Sequence, residues 1–517
     1  MMDAMRSEPS ENRAAIRASA ALILGFAAVR VILAARLPLA PDEANYWQWG
    51  RYLDWGYYDQ APLIGWAIGL CTRLLGDTEL AVRLPSILAM SGASAYVAVL
   101  AGRYFSPRAG LAAALLTQAM PEFQVGGLLA TPDGLQALAW AGAAYHGARA
   151  YEEGAWRQWL GAGLWFGFGM LAKFTMVVFA PGVLVFGLLS PGFRQRLKSP
   201  RPWLAFALGC LLFSPVLWWN AENGWSSARH VAHIGGADER FALHVKYLGD
   251  FLGSQAALLS PPAFILVIWA LSRAFRNMRD EKCWIGAYCF WTAAPLLALF
   301  LAISLHSRVY GNWPGAAYLT ASVLAAGYFG AGERPRLWKA TLYTAFGLSG
   351  LLFLQAAWPV LPIPARLDRI AFELGGWPEM GAAAGRTAAS MPRPADTFLF
   401  GIRYQEASEL AFYAPGRPRT VSINRWTRPN VYDSWFRDAD LLGKDAVGVT
   451  RFPDTAKVLR QVFERVEEPT ALPLSRKPPF RAEETVRTVY IYRCFGFKGG
   501  LRWIPKDFND IRAGSEK

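Results

Sequence analysis

Charge and cysteine are both scarce in this chain, and each shortage narrows what it can be. Only 18% of its 517 residues are charged while 53% are hydrophobic, a balance far too greasy for an ordinary soluble protein of this length. Its five cysteines, Cys71, Cys210, Cys283, Cys289 and Cys494, are spread thinly, and none has metal-ligand spacing. A bridge between Cys71 and Cys494 is conceivable outside the cytoplasm, but unpaired packing thiols fit the scatter better. Histidines are equally few; His230 and His233 lie three apart, yet with no third ligand nearby in sequence they read as surface or hydrogen-bonding groups. Nucleotide-binding fingerprints are absent as well: Gly167-Phe168-Gly169 precedes Lys173 but lacks the Gly-Lys-Ser/Thr ending of a phosphate-binding loop. Energy for any reaction must therefore arrive with the substrate. No solenoid-type repeat and no low-complexity tract interrupts the chain.

What is present is a succession of apolar windows, each long enough to approach the thickness of a hydrocarbon core. About eleven can be drawn: Ala18–Leu37, Ser86–Gly102, Ala109–Val125, Gly134–Ala150, Trp159–Ala172, Phe174–Ser190, Trp203–Asn220, Phe251–Ser272, Trp284–Ile303, Pro314–Phe329 and Ala340–Trp358. This is the pattern of a polytopic membrane protein. The formal charge of +14 would suggest nucleic acid in a soluble chain, but its basic residues gather in alternate short loops. Arg194, Arg196, Lys198 and Arg201 form one group, Arg273, Arg276, Arg279 and Lys282 a second, Arg334, Arg336 and Lys339 a third. Together with Arg6, Arg13 and Arg17 they place the amino terminus in the cytoplasm and, after an odd number of crossings, the carboxy-terminal region outside. No nucleic-acid partner is expected. The first window is long, contains Arg30 and Arg36 and lacks a clear small-x-small site, so it reads as an anchor rather than a cleaved signal peptide.

Two regions outside the spans carry more than connection. The first outer loop, about residues 39–85, holds Asp42-Glu43 and an aromatic run, Tyr46, Trp47, Trp49, Trp55, Tyr57 and Tyr58, expected at the headgroup level. Leu63, Ile64, Trp66, Ile68, Leu70, Leu74 and Leu75 then recur at spacings that suit a helix along the membrane surface. Gly65/Gly69 and Gly163/Gly167 match a small-xxx-small pattern, read as helix packing. The tail, residues 359–517, loses the apolar blocks. Strands are expected over Thr397–Ile402, Thr420–Ile423, Ala446–Thr450 and Thr488–Tyr492, and helices over Gln405–Tyr413 and Thr455–Val466, a small α/β domain. The expected architecture is thus an all-α membrane bundle over 1–358 and a soluble periplasmic domain over 359–517.

Several charged groups gather on the expected outer side. Asp133 follows Thr131-Pro132 at the mouth of the fourth window, where a carboxylate needs water or a partner and also suits a helix start. Arg83, Lys173, Arg229, His306 and Arg308 offer cations for a phosphate, or else snorkel to headgroups. Two acids, Asp42 and Asp133, are too few to demand a divalent metal, which leaves one possible but not required.

The residues together resemble a known family. Asp42-Glu43, Tyr58-Asp59-Gln60-Ala61-Pro62-Leu63, Ala81-Val82-Arg83-Leu84-Pro85, Thr131-Pro132-Asp133, Leu171-Ala172-Lys173 and Gly311-Asn312-Trp313-Pro314 resemble the dolichyl-phosphate-mannose protein mannosyltransferases and their bacterial relatives (glycosyltransferase family 39 and neighbours), including the aminoarabinose transferase that modifies lipid A. The resemblance implies a GT-C fold that moves a sugar from a polyprenyl phosphate to a lipid, glycan or protein acceptor with inversion. By position it implies Asp42 as general base with Glu43 beside it, Asp133 as a second acid, and Arg83 and Lys173 as candidates for the donor phosphate, to which His306 and Arg308 are added as cations on the same expected side. Tyr58, Asp59 and Gln60 would lie against substrate. Relatives place Lys before Pro-Pro-Leu in this loop where the present chain has Gln60-Ala61-Pro62-Leu63, so the cation must come from elsewhere. The implied location is the bacterial inner membrane with a periplasmic active site. The rival readings are a transporter or flippase of a lipid-linked sugar, and a non-catalytic envelope assembly protein; paired repeats and broken midplane helices, usual in transporters, are not evident.

Overall fold

The computed structural model describes residues 9–237, 242–330, 334–479 and 481–502; Arg6 of the basic amino-terminal tail lies outside them. The chain is mostly helical and divides into two compact units. The first comprises the chain up to Ala34, Asp54–Ala67 and Arg83–Leu352; the second comprises Ala35–Leu53, Ile68–Val82 and the chain from Phe353 onward. Parts of the loop over residues 39–85 therefore group with the tail rather than with the apolar helices.

In the first unit, α1 (Pro9–Ala34) leads, after α2 (Pro41–Arg51) and α3 (Leu63–Leu75), to α4 (Glu79–Tyr104), α5 (Pro107–Ala119), α6 (Pro121–Gly126), α7 (Pro132–Glu153), α8 (Trp156–Ala172) and α9 (Phe179–Leu189). Five helices among the described residues are long and apolar enough to cross a membrane: Ser10–Ala34, Glu79–Tyr104, Pro200–Glu222, Trp284–Ser304 and Pro335–Ala357. Two further pairs qualify together but bend by 111° (Phe174–Leu189 with Pro191–Lys198) and 103° (Val245–Leu259 with Pro261–Arg276). The window Phe251–Ser272, expected as one span, is thus two helices. Ser260 between them has φ 79°, and the prolines at 261 and 262 cannot continue a helix from Leu259. The multi-pass character shows in outward-facing apolar side chains, Leu24 at 68% and Leu211 at 67% exposed, which suit lipid rather than water. Inside, Trp140, Tyr151 and Tyr288 are fully buried, and glycine lets backbones approach. A side chain at Gly163 would strike the Ala205 carbonyl and one at Gly209 the ring of Phe166, the small-residue packing expected there.

The second unit is built on a six-stranded sheet of order β2-β1-β3-β6-β4, with β5 also on β6. Its strands are β1 (Thr397–Gly401), β2 (Thr420–Ser422), β3 (Asp445–Thr450), β4 (Phe463–Val466), β5 (Thr470–Arg476) and β6 (Glu484–Phe497). β1 runs parallel to both β2 and β3, while β6 is antiparallel to β3, β4 and β5. The helix expected over Thr455–Val466 stops at Val462. Phe463 and Val466, buried with two exposed residues between them, continue instead as β4; pairing with β6 overrides the local helical pattern. β5 had no counterpart among the expected strands. All five cysteines are unpaired, with Cys494 buried in β6 opposite Ala446.

Candidate active site

α2 is short, and its start explains how an acid is displayed. Pro41 occupies the first helical turn, where its missing N–H costs nothing and its fixed φ favours the helix. Asp42 and Glu43 follow in the same turn, where the positive end of the helix dipole favours carboxylates. The two then part company. Glu43 is buried, and its Oε2 accepts from the Ala40 backbone N–H at 2.9 Å, the reach-back half of a capping box. Asp42 is exposed, and the Tyr404 hydroxyl donates to its Oδ1 at 2.9 Å. Tyr404 opens the helix Tyr404–Tyr413 that follows β1, so the acid is held by a residue of the sheet unit.

The remainder of α2 is packing. Trp47 and Trp49 are at most 1% exposed; the Trp47 ring meets Phe412 edge-on at 4.9 Å, and its Nε1 donates to Asp77 Oδ1 at 2.8 Å. Gln48 Nε2 donates to the Tyr432 hydroxyl at 3.3 Å. The expected aromatic fence is therefore divided: Trp47, Trp49 and Tyr57 are core residues, while Trp55 remains 49% exposed. α2 is buried on nearly every side, so packing rather than headgroup affinity placed the first two inside.

In the first unit, Asp133 stands in the first turn of α7 behind Pro132. Lys173 lies where α8 ends, with extended φ −156° and ψ 134°, and its Nζ is 2.7 Å from Asp133 Oδ1. A third group completes this cluster. Glu122, behind Pro121 in α6, lines a small cavity with Asp133, Gln136 and Gly315, and its carboxylate occupies the space a side chain at Gly315 would take. Lys173 thus pairs with Asp133, and Glu122 shares that aspartate's cavity. Arg30, with no exposed surface, ties α5 and α6 to α1 by donating to Gln118 Oε1 at 2.9 Å and Gln124 Oε1 at 3.0 Å. Glu122 escaped the reading of the sequence although a signal was there: Pro41-Asp42, Pro121-Glu122 and Pro132-Asp133 all place an acid directly after a proline at a helix start.

The other expected residues scatter. Arg83 is fully buried and its Nη1 donates to the Ala34 carbonyl at the end of α1, at 3.2 Å. Asp59 Oδ1 lies 3.3 Å from His230 Nε2, and the Tyr58 ring is 5.0 Å from that imidazole. With Ser227 Oγ donating to the Tyr57 carbonyl at 2.6 Å, these contacts pin the loop to the helix Ser226–Ile234. Gln60 is half-buried beside them. His306 organises a loop, its Nε2 3.1 Å from the Gly236 carbonyl and its Nδ1 accepting from Ala242 N–H at 3.2 Å. Arg308 is exposed. Among the described residues, no group of three or more His, Cys, Asp or Glu could hold a metal ion.

Comparison with known proteins follows this geometry. The profile of the family described as dolichyl-phosphate-mannose-protein mannosyltransferase matches residues 59–219. The structure of ArnT from Cupriavidus metallidurans covers 91% of this chain and 97% of its own, with TM-score 0.58 and 16% identity in the apo state, and TM-score 0.59 when bound to undecaprenyl phosphate. This chain has the GT-C fold of the ArnT type. The fold expected from the motifs is borne out in that respect, including the small carboxy-terminal sheet domain. The GT-C likeness extends more distantly to the archaeal oligosaccharyltransferase AglB from Archaeoglobus fulgidus, with TM-score 0.51 at 12% identity over 82% of this chain and 69% of that one. In sequence, the lipid A galacturonosyltransferase RgtD of Rhizobium johnstonii is 25% identical over 314 residues, 60% of this chain and 65% of that protein. The match spans slightly less than two thirds of that relative.

Proposed function

We propose that this protein is an inverting membrane glycosyltransferase that moves a hexosyl or pentosyl group from a polyprenyl-phosphate donor to a glycolipid acceptor. What carries the reading is Asp42, an exposed carboxylate displayed at a helix start while its neighbour Glu43 is occupied by the cap. The names of the relatives add support: RgtD is a lipid A galacturonosyltransferase, and ArnT takes up undecaprenyl phosphate. In this reading Asp42 removes the proton of the acceptor hydroxyl. The oxygen so activated attacks the anomeric carbon from the side opposite the phosphate, and the polyprenyl phosphate departs with the electron pair of the broken C–O bond. A positioned base contributes about 10²- to 10⁴-fold, and fixed cations offset the charge growing on the leaving group. Within the first unit, Lys173, oriented by Asp133, and the exposed Arg308 are the cations we assign to the donor phosphate. Arg83, Glu43 and His306 hold backbone, and we assign them positioning roles.

The proposed setting is the bacterial inner membrane, with eleven crossing segments that include the short and bent helices, and with Asp42 and the sheet unit on the periplasmic side. The test is transfer by the purified protein in nanodiscs, supplied with undecaprenyl-phosphate sugars and lipid A. Asp42→Asn keeps the shape of the side chain and is expected to lower turnover at least about a hundredfold with the fold intact. Near-normal turnover in that variant would remove Asp42 as the base. Movement of the lipid-linked sugar across the bilayer without transfer would favour a flippase.

A further inference from the structure

The carboxyl ends of the parallel strands in the sheet unit carry a cluster of arginines that the proposed reaction has not used. The chain leaves β1 toward β2 on one side, whereas β3 and the strands after it lie on the other. The crevice between the ends of β1 and β3 is therefore a topological switch point, the place where open sheets of this kind receive ligands. Arg403 stands two residues beyond the end of β1, and Arg451 directly follows β3. Arg428, in the segment after β2, lies over the Tyr404 ring with its guanidinium carbon 5.3 Å from the centroid. Each of the other two is steadied in the same way, Arg403 on Phe452 at 5.8 Å and Arg451 on Phe372 at 5.6 Å.

The turn itself is tight. A side chain at Gly401 would come within 2.6 Å of the Ala407 nitrogen and 2.8 Å of the Arg403 carbonyl, so only glycine brings the helix start this close to the strand end. Glu406, buried, pairs with Arg451 Nε at 3.1 Å. Burial above all, with Arg451 and Arg428 close by adding to it, holds Arg403 below the usual guanidinium range. Tyr404 connects the cluster to the proposed base, since its ring lies beneath Arg428 while its hydroxyl bonds Asp42.

We propose that Arg403, Arg428 and Arg451 form a binding site for an oxyanion, a phosphate or carboxylate group borne by a sugar substrate, whose hydroxyl is thereby presented to Asp42. Arginine suits the task because its planar fork matches such groups bidentately. The inference rests on the glycosyltransferase reading for its substrate but not for its site. It also gives the sheet unit a role, recognition of the anionic part of the molecule that receives or delivers the sugar.

Two measurements test it. Binding of inorganic pyrophosphate to the full-length protein in detergent, at constant ionic strength, is expected to weaken about tenfold in Arg403→Gln and in Arg428→Gln and to be only partly restored in Arg403→Lys, whose compact charge cannot form the fork. It should persist in Asp42→Asn. Arg451 is left intact because its loss would strand the buried Glu406. Pyrophosphate binding unchanged in both glutamine variants overturns the site even if transfer is robust, whereas binding without any transfer keeps the site and removes the enzyme reading. Where transfer is measurable, the source of the anion follows from the constants. A rise in KM for lipid A but not for its dephosphorylated form assigns the anion to the acceptor, and a rise in donor KM alone assigns it to the polyprenyl phosphate. An equal fall in kcat for every substrate with no change in any KM would mark the arginines as structural and overturn the proposal.

Discussion

Replacing Lys173 by methionine removes the positive charge paired with Asp133, and the consequence can be estimated from the geometry. The ammonium lies 2.7 Å from Asp133 Oδ1, with 8% of the lysine side chain and 22% of the aspartate exposed, and Glu122 borders the same cavity as Asp133. Methionine preserves the length and apolar stem of the lysine but leaves Asp133 without its cation. Breaking a fully buried pair costs about 3–5 kcal/mol. Because part of Asp133 reaches solvent, about 2–3 kcal/mol is expected here. Asp133→Asn keeps an amide oxygen as acceptor for the ammonium and should cost about 1–2 kcal/mol. The double variant leaves no broken pair and should cost about 2 kcal/mol, well short of the sum of the singles. The resulting coupling is about 2 kcal/mol, measurable by equilibrium unfolding of the four proteins in mixed micelles. Additivity within about 0.5 kcal/mol would refute the pair as an energetic unit. The same variants report on function: Lys173→Met should raise the donor constant with the acceptor constant nearly fixed, and Lys173→Arg should be only partly tolerated because a planar fork replaces a compact charge. Unaltered donor dependence in both would withdraw the phosphate from Lys173 and make Arg308 the next residue to change.

Tyr404→Phe deletes the hydroxyl that bonds Asp42 but keeps the ring beneath Arg428, so turnover should fall about 5- to 20-fold with thermal stability nearly unchanged; wild-type turnover would deny Tyr404 a positioning role. Gly315→Ala drives a methyl into the Glu122 carboxylate and should destabilise the protein by about 1–3 kcal/mol, an effect that Glu122→Ala should relieve if that collision is the cause. In the sheet unit, the bond from Arg393, 2.7 Å from Asp445 Oδ1, holds the Asp445 carboxyl below its usual range. Stability from such a depressed acid is fully present above its unfolded value, about 4, and is lost as pH falls through the folded value; Asp445→Asn should flatten the acid limb of the unfolding midpoint against pH, and an unchanged limb would exclude this pair as its source. Reporter fusions after Lys198 and Arg279 should read cytoplasmic and those after Asp42, Arg229 and Arg417 periplasmic; a cytoplasmic signal at Arg417 would overturn the odd number of crossings.

Features written in contiguous residues are legible in the amino-acid order alone. The apolar windows, Pro41 ahead of Asp42, Pro132 ahead of Asp133, and strands such as Thr397–Gly401 and Asp445–Thr450 depend on local backbone preference and side-chain period, which neighbouring residues set by themselves. Pro121-Glu122 follows the same rule and is readable in the same way. Other features needed the tertiary structure. Whether Phe463–Val466 extends a helix or joins β6 depends on a partner strand some thirty residues on. Asp42 and Glu43 are adjacent acids with similar intrinsic chemistry, and only packing turned one inward to the cap and left the other exposed. The bond from Tyr404 to Asp42 spans 362 positions, and the arginines of the switch point come from three separate loops. No local preference records such meetings, because they arise from the order in which strands pair and the faces that helices bury. The chemical groups at this edge are therefore visible one at a time in the sequence, while their assembly belongs to the fold.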